Sequence, residues 1–342
     1  MKHLLVIRLS AMGDVAMTVP ILRALVNQYP DVKITVVSRP FFAPFFEDIP
    51  QVNFFPTDVK NTYKGFGGIV QLYRDLKKLN IDAIADLHNV LRSKILRTLF
   101  SFSGIKIAFT DKGRAARKAL TRSENKIFKP IKSVFERHVD TLTKLGLPID
   151  LKNQPEIERK SLNDSIISVT GNKDKKWIGI APFAQYQTKV YPQDLMRKVI
   201  QNLNENSASK IFLFGGGGEE LKKLEELQRR LENVVVIAGK LSFRDELILI
   251  QHLDVMLSMD SGNAHIAAMY NIPVVTLWGN THPYTGFAPF NQPLENCLTA
   301  HREKYPMIPT SVYGKKQVEG YEDVMRTIEP KRVVEKLEKV LK

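Results

Sequence analysis

The sequence has one cysteine in 342 residues, Cys297, and two tryptophans. No apolar stretch reaches the roughly 18 residues of a membrane-spanning helix. A single cysteine excludes an internal disulfide, and a chain this long needs none, so a reducing, cytoplasmic setting is expected. Cys297 has neither a histidine nor a second cysteine at metal-ligand spacing and reads as inert. Met1-Lys2-His3 precedes an apolar run, but Arg8 and Asp14 interrupt it before a signal-peptide core forms. The chain therefore reads as soluble or, at most, as lying against a membrane. Its catalytic vocabulary is also thin. There is no G-x-S-x-G elbow, no H-E-x-x-H, no Walker A loop and no full G-x-G-x-x-G fingerprint. Seven scattered histidines give a metal site little support, and no short-period repeat is present.

What is there is an ordinary globular composition, 44% hydrophobic and 25% charged, long enough for two domains. The formal charge is +14, which points to an anionic partner: nucleic acid, a membrane surface or a phosphorylated substrate. Residues 1–160 carry 27 basic and 15 acidic side chains, so the excess is expected in the N-terminal half. It peaks from Lys106 to Arg137, where ten basic residues face only Asp111, Glu124 and Glu136. Such a run is either a solvated face or an anion-facing surface.

Short apolar runs alternate with helical patterns along the chain. Runs at 4–9, 33–38, 52–55, 81–86 and 106–109 read as buried strands, separated by helical stretches at 15–27, 66–79 and 90–102. A helix over 133–145 ends at Gly146, and the polar segment 148–175 is the best linker candidate. Strands then recur at 177–181, 210–214, 234–237, 255–258 and 273–278, with helices between them. Strand–helix alternation predicts parallel sheets covered on both faces, and the interruption predicts two doubly wound halves with ligands outside the carboxyl ends of their strands.

Four strand-end loops hold residues suited to chemistry. In Ser10-Ala11-Met12-Gly13-Asp14, the carboxylate either caps the next helix or faces a ligand. In Gly215-Gly216-Gly217-Gly218-Glu219-Glu220, backbone and ligand can approach closely and a carboxylate can accept from ribose hydroxyls, or the acids simply favour the helix start. Asp260-Ser261-Gly262-Asn263-Ala264-His265 is the strongest. The helix beginning there offers unpaired N–H groups to a phosphate, with His265 one turn in; capping by Asp260 or Ser261 and a buried His265 is the alternative. Lys189, in the loop before Pro192, could neutralise a leaving phosphate or be merely solvated. Asp86-Leu87-His88 follows a strand end and could line an acceptor site, with a capping role equally good.

Taken together these loops resemble the ADP-heptose:lipopolysaccharide heptosyltransferase family, glycosyltransferase family 9, over essentially the whole chain. The most specific matches are Arg8-Leu9-Ser10-Ala11-Met12-Gly13-Asp14-Val15, the D-[ST]-G-x-x-H-[IL]-A-A pattern at Asp260 to Ala268, and the following turn from Gly279 through Thr281 to Pro283. The resemblance implies the GT-B architecture, two Rossmann-like domains facing across a cleft, with residues 1–160 binding acceptor and 161–342 binding donor. It implies inverting heptose transfer from an ADP-activated donor to the lipopolysaccharide inner core, without metal or other cofactor. Asp14 matches the general base, and Ser10, Met12, Gly13 and His88 fall on the acceptor side. Lys189 matches the phosphate-contacting lysine, Glu219 the ribose carboxylate, Leu241 the adenine position, and Asp260, Ser261, Gly262 and His265 the donor loop. The chain departs from the family at Ala184 and Gln185, where some members place two threonines on the phosphates, and at Tyr191, which replaces a tryptophan. The implied partners are an ADP-sugar, a lipid-linked anionic acceptor and, through the basic N-terminal half, an anionic membrane surface at the inner face of the inner membrane. The alternatives are a GT-B sugar-nucleotide epimerase and a non-catalytic nucleotide- or nucleic-acid-binding protein. Nucleic acid is disfavoured by the lack of any aromatic-interleaved basic strip.

Overall fold

The computed structural model describes residues 1–205 and 208–342. They divide into two compact units, Met1–Gly113 with Lys132–Glu156, and Arg114–Ile131 with Ile157–Lys342.

The first unit is a five-stranded parallel sheet. In chain order it runs β1 (His3–Ile7), α1 (Met12–Ala16), α2 (Thr18–Gln28), β2 (Lys33–Ser38), β3 (Val52–Pro56), α3 (Gly65–Lys77), β4 (Ala83–Asp86), α4 (Leu91–Ser101) and β5 (Lys106–Phe109). The strand order is β3-β2-β1-β4-β5. β1 and β4 are buried throughout, which is why they read as unbroken apolar runs rather than alternating ones. Leu5, Ile7, Val37 and Ile84 pack against Leu72 and Leu76 of α3 and Leu96 and Phe100 of α4.

The chain then leaves this unit. α5 (Arg114–Thr121) and the segment up to Ile131 belong to the second unit, and α6 (Val134–Thr143) returns to the first. α6 opens with a capping box in which Ser133 Oγ accepts from the Glu136 N–H (3.2 Å) and Glu136 accepts from the Ser133 N–H (2.7 Å).

The second unit continues with α7 (Asp164–Thr170), β6 (Lys176–Ala181), α8 (Gln193–Glu205), β7 (Ser209–Leu213), α9 (Glu219–Gln228), β8 (Val234–Val236), α10 (Phe243–Gln251), β9 (Val255–Met259), α11 (Gly262–Met269), β10 (Val274–Trp278), β11 (Cys297–Thr299) and α12 (Pro330–Leu341). Its six parallel strands are ordered β11-β10-β9-β6-β7-β8. Ile178, Ile180, Leu213, Leu257 and Leu277 form its centre, and α12 adds Val333 and Leu337. Among the described residues no helix is long and apolar enough to cross a membrane.

The polar segment 148–175 is narrower as a linker than its composition suggests. Its start is held to the first unit, where Tyr29 donates to the Pro148 carbonyl (2.8 Å) and Gln154 to the Pro20 carbonyl (3.0 Å). Its later part forms α7, capped by Asn163 Oδ1 on the Ile166 N–H (3.0 Å), so the units divide at Glu156–Ile157.

The basic run is also redistributed. Six of its ten cations, Arg114, Arg117, Lys118, Arg122, Lys126 and Lys129, fold with the second unit, not with the N-terminal half to which counting along the chain assigns them. Leu120 is fully buried there. Arg117 donates to the Tyr313 hydroxyl (2.7 Å), and Lys126 Nζ donates to the Pro309 carbonyl (2.9 Å). Phe128 packs on His282 and Tyr284, with the Arg302 guanidinium 3.4 Å from its ring centroid. Stacking and hydrogen bonds of this kind leave no apolar periodicity for a sequence reading to detect.

Candidate functional site

In the first unit the relevant loops emerge at the carboxyl edge of β1 and β4. Asp14 lies in the first turn of α1, and its Oδ2 accepts from the Ala11 N–H (3.2 Å). It is therefore a helix-start carboxylate, as the capping alternative required, and its side chain is still 28% exposed. Arg8, the residue after β1, fixes it. One guanidinium nitrogen lies 2.6 Å from Asp14 Oδ1, and the other donates to the Leu87 carbonyl (2.6 Å) in the loop after β4. Arg8 thus ties the Asp14 loop to the His88 loop, a role that neither its interruption of an apolar run nor its place in the matched pattern reveals.

The His88 loop is built by Asp86. Its buried carboxylate accepts from the N–H groups of His88 (3.0 Å) and Asn89 (2.7 Å) and pairs with Arg97 (2.9 Å). Asn89 takes a positive φ of 48°, tolerable for asparagine. Burial, followed by the positive charge of Arg8, lowers His88 to about 3; Lys112 and Arg39 add to the shift and Asp14 opposes it. His88 is accordingly neutral at ordinary pH, and its buried Nδ1 has no hydrogen-bond partner. Arg39 follows β2 and Lys112 follows β5, so with Arg8 after β1 the carboxyl edge of this sheet gathers cations from three strand ends. Ser10, Met12 and Gly13 are half-buried beside Asp14, and Gly13 is helical with no positive φ.

In the second unit the loops after β6, β9 and β10 converge. Lys189 Nζ lies 3.0 Å from Asp260 Oδ2, with the two side chains 12% and 7% exposed. Thr281, after β10, donates to the same oxygen (2.9 Å). Asp260 therefore faces a lysine, which resolves why a carboxylate stands beside an anion-suited helix start. The Lys189 stem is enclosed by Gly314 (φ +82°), where an added Cβ would lie 2.7 Å from Lys189 Cγ and Cδ. Thr188 donates to the Gly314 carbonyl, and the Asn280 N–H donates to the Thr188 carbonyl (3.3 Å). Gly314 carries no sequence signal of its own, and Thr281 is legible only as part of the matched turn pattern, which assigns it no role.

α11 begins at Gly262 with Ser261 as its cap residue, yet the Ser261 side chain makes no capping bond and shares one with Ser258 (3.1 Å) instead. The N–H groups of that helix start are not satisfied by the cap side chain, which suits an anion. His265 is buried in the same helix. In the glycine loop, Gly218 takes φ +66° as the cap of α9, and Glu220, not Glu219, is built into the loop, accepting from the Gly216 N–H (2.7 Å). Glu219 is exposed and pairs with Lys222 (2.7 Å). Ala184 and Leu241 are half-buried and Gln185 is exposed. Tyr191 is core: it is 1% exposed and donates to the Ile328 carbonyl (2.5 Å). Among the described residues no group of three His, Cys, Asp or Glu could hold a metal ion.

The family model for glycosyltransferase family 9 (heptosyltransferase) matches residues 69–316. The chain is 26% identical over 307 residues to the lipopolysaccharide core heptosyltransferase OpsX of Haemophilus influenzae, covering 88% of this chain and 85% of that one. A glycosyltransferase family 9 structure from Veillonella parvula superposes with a TM-score of 0.76 at 18% identity, covering 99% and 97% of the two chains. The E. coli heptosyltransferase WaaC with ADP superposes with a TM-score of 0.70 at 18% identity, covering 99% of each. The GT-B fold expected from the sequence is the fold of these proteins.

Proposed function

The chain belongs to glycosyltransferase family 9, the heptosyltransferases, and we propose that it transfers a heptose from an ADP-activated donor to the lipopolysaccharide inner core with inversion at the anomeric carbon. The observation that carries the reading is the buried Lys189–Asp260 pair, braced by Thr281 and set beside the open start of α11.

We assign the second unit to the donor. Lys189, the α11 N–H groups and His265 stabilise the charge that develops on the departing diphosphate, so no metal is required. Asp260 holds Lys189 in position. Glu219 binds the ribose, and Leu241 meets the adenine through its backbone. Ala184 and Gln185 have no hydroxyl to offer a phosphate, and their N–H groups take that part.

We assign the first unit to the acceptor. An acceptor hydroxyl attacks the anomeric carbon, the bond from that carbon to the phosphate oxygen breaks, ADP leaves with the electron pair, and Asp14 takes the hydroxyl proton. Arg8 fixes the direction of the Asp14 carboxylate. Ser10, Met12 and Gly13 line the attacking sugar, and uncharged His88 hydrogen-bonds to it. The cations whose field reaches His88 (Arg8, Arg39 and Lys112) favour an acceptor bearing carboxylates or phosphates. Such an acceptor is lipid-linked, which puts the working enzyme at an anionic membrane surface on the cytoplasmic side.

The test is incubation of the purified chain with ADP-, GDP- and UDP-sugars and a heptose-free lipopolysaccharide core. The expected product gains one heptosyl residue, from the ADP donor alone. A product from a UDP-sugar without an acceptor would contradict transfer and favour an epimerase.

A further inference from the structure

Two of the helices that start at the carboxyl edge of the first sheet, α3 and α4, each begin with an apolar side chain in solvent. Phe66, in the first turn of α3, is 66% exposed, and Leu91, the first residue of α4, is 74% exposed. Phe66 stands within Gly65-Phe66-Gly67-Gly68. A Cβ at Gly65 or Gly67 would meet nothing within 4 Å, so the ring projects from chain that offers it no cover. At Gly68 an added Cβ would lie 2.2 Å from the Tyr63 carbonyl carbon, so the base of the same turn is tightly packed. Arg92 Nη1 donates to the Tyr63 carbonyl (2.6 Å) and joins the two helix starts into one patch.

The charge around this patch has one sign. Lys60, Lys64 and Lys94 are exposed, and there is no acidic residue from Val59 to Tyr73 or from Leu87 to Ser101. The Asp58 carboxylate just before them is occupied by the Lys60 and Asn61 N–H groups and the Asn61 side chain. An apolar tip ringed by lysines matches a bilayer with anionic headgroups, which takes apolar side chains into its acyl boundary and lysines at its surface.

We propose that the starts of α3 and α4 form a membrane-docking edge, with Phe66 and Leu91 entering an anionic leaflet and Lys60, Lys64 and Lys94 meeting its headgroups. This edge is distinct from the Lys106–Arg137 run, most of whose cations fold with the second unit. It deepens the proposed function and rests on that reading only for its purpose: a lipid-linked hydroxyl held at the bilayer would lie at the sheet edge that carries Asp14.

The experiment is co-sedimentation of the full chain with phosphatidylcholine vesicles, with and without phosphatidylglycerol. Binding is expected to need the anionic lipid and to weaken with salt. Phe66→Ser/Leu91→Ser should weaken it by about a hundredfold. Phe102→Ser, 85% exposed at the opposite end of α4, should leave it unchanged. Phe66→Trp should bind like wild type and shift its fluorescence to the blue on anionic vesicles, against the buried Trp177 and Trp278. Wild-type binding by the double variant, or an unshifted emission from Phe66→Trp, would overturn the docking edge. So would binding only when lipopolysaccharide acceptor is in the vesicle, which would transfer the patch to the acceptor's own lipid. Heptosyl transfer to detergent-dispersed acceptor should survive in the double variant. A chain that docks through these side chains but transfers no heptose would support the edge and overturn the proposed function instead.

Discussion

Replacing Lys189 with methionine keeps the aliphatic stem against Gly314 and removes only the ammonium that lies 3.0 Å from Asp260. The carboxylate left behind is only 7% exposed and retains one donor, Thr281. Breaking one side of a buried pair costs about 3–5 kcal/mol. A loss of about 4 kcal/mol lowers the unfolding temperature of a unit this size by about 10 °C. Scanning calorimetry measures this, and ADP titration on the same samples separates the functional role. Lys189→Met should weaken ADP by about ten- to a hundredfold, the worth of one charge-assisted bond. Lys189→Met/Asp260→Asn should recover most of the stability and none of the ADP affinity. Strict additivity of the two substitutions would refute the coupling, and unchanged ADP affinity in Lys189→Met would reduce the pair to a structural one.

Acid should destabilise the protein through three histidines. His88 and His138 are held at about 3 and His282 at about 4, chiefly by burial, against an ordinary value of 6.5. Below about pH 6.5 the unfolded chain therefore binds more protons than the folded one, so stability falls as pH falls, by about 2 kcal/mol for each histidine at pH 5. Equal denaturant midpoints at neutral pH and at about pH 5 would contradict this linkage. Glu246 has the opposite sense, since burial raises it to about 7 from an ordinary carboxyl value. The unfolded chain loses that proton first, so Glu246→Gln should stabilise the protein by about 3 kcal/mol at pH 7 and by little near pH 4.5, read as the shift in unfolding temperature. Gly314→Ala forces a side chain into a left-handed backbone and against the Lys189 stem, so it should lower both melting temperature and ADP affinity; calorimetry showing neither change would remove Gly314 from the proposed donor site.

The inner strands were legible because both sheets are parallel and their inner strands are buried, so each of these appears as a short apolar run such as Val36-Val37 or Val274-Val275. α5, α7 and β11 were not, because Arg114–Thr121 is charged, α7 lies in a stretch without periodicity, and Cys297–Thr299 is too short to register. The charge reading went astray for a related reason: position along the chain assigned Arg114–Ile131 to the first half, whereas contacts with Tyr313, Pro309 and Tyr284 hold it in the second. At the candidate sites, Asp14, Lys189 and Asp260 were visible because strand-to-helix loops display polar residues beside helix starts. Gly314 was not, and Arg8 and Thr281 were visible only as members of matched patterns without a role, since an arginine ending an apolar run or a glycine in a polar loop acquires meaning only from the side chain it meets.

The general-base assignment is the core of the mechanism, and heptosyl transfer by Asp14→Asn beside wild type, with ADP affinity titrated on both, tests it most directly. Asparagine preserves the shape of the side chain and can still be held near Arg8 and the Ala11 N–H, but it cannot take the hydroxyl proton. Turnover should fall by about a hundred- to ten-thousandfold, the usual worth of a positioned base, with ADP affinity unchanged. Wild-type turnover in that variant, or a loss of ADP affinity as large as the loss of turnover, would contradict the account.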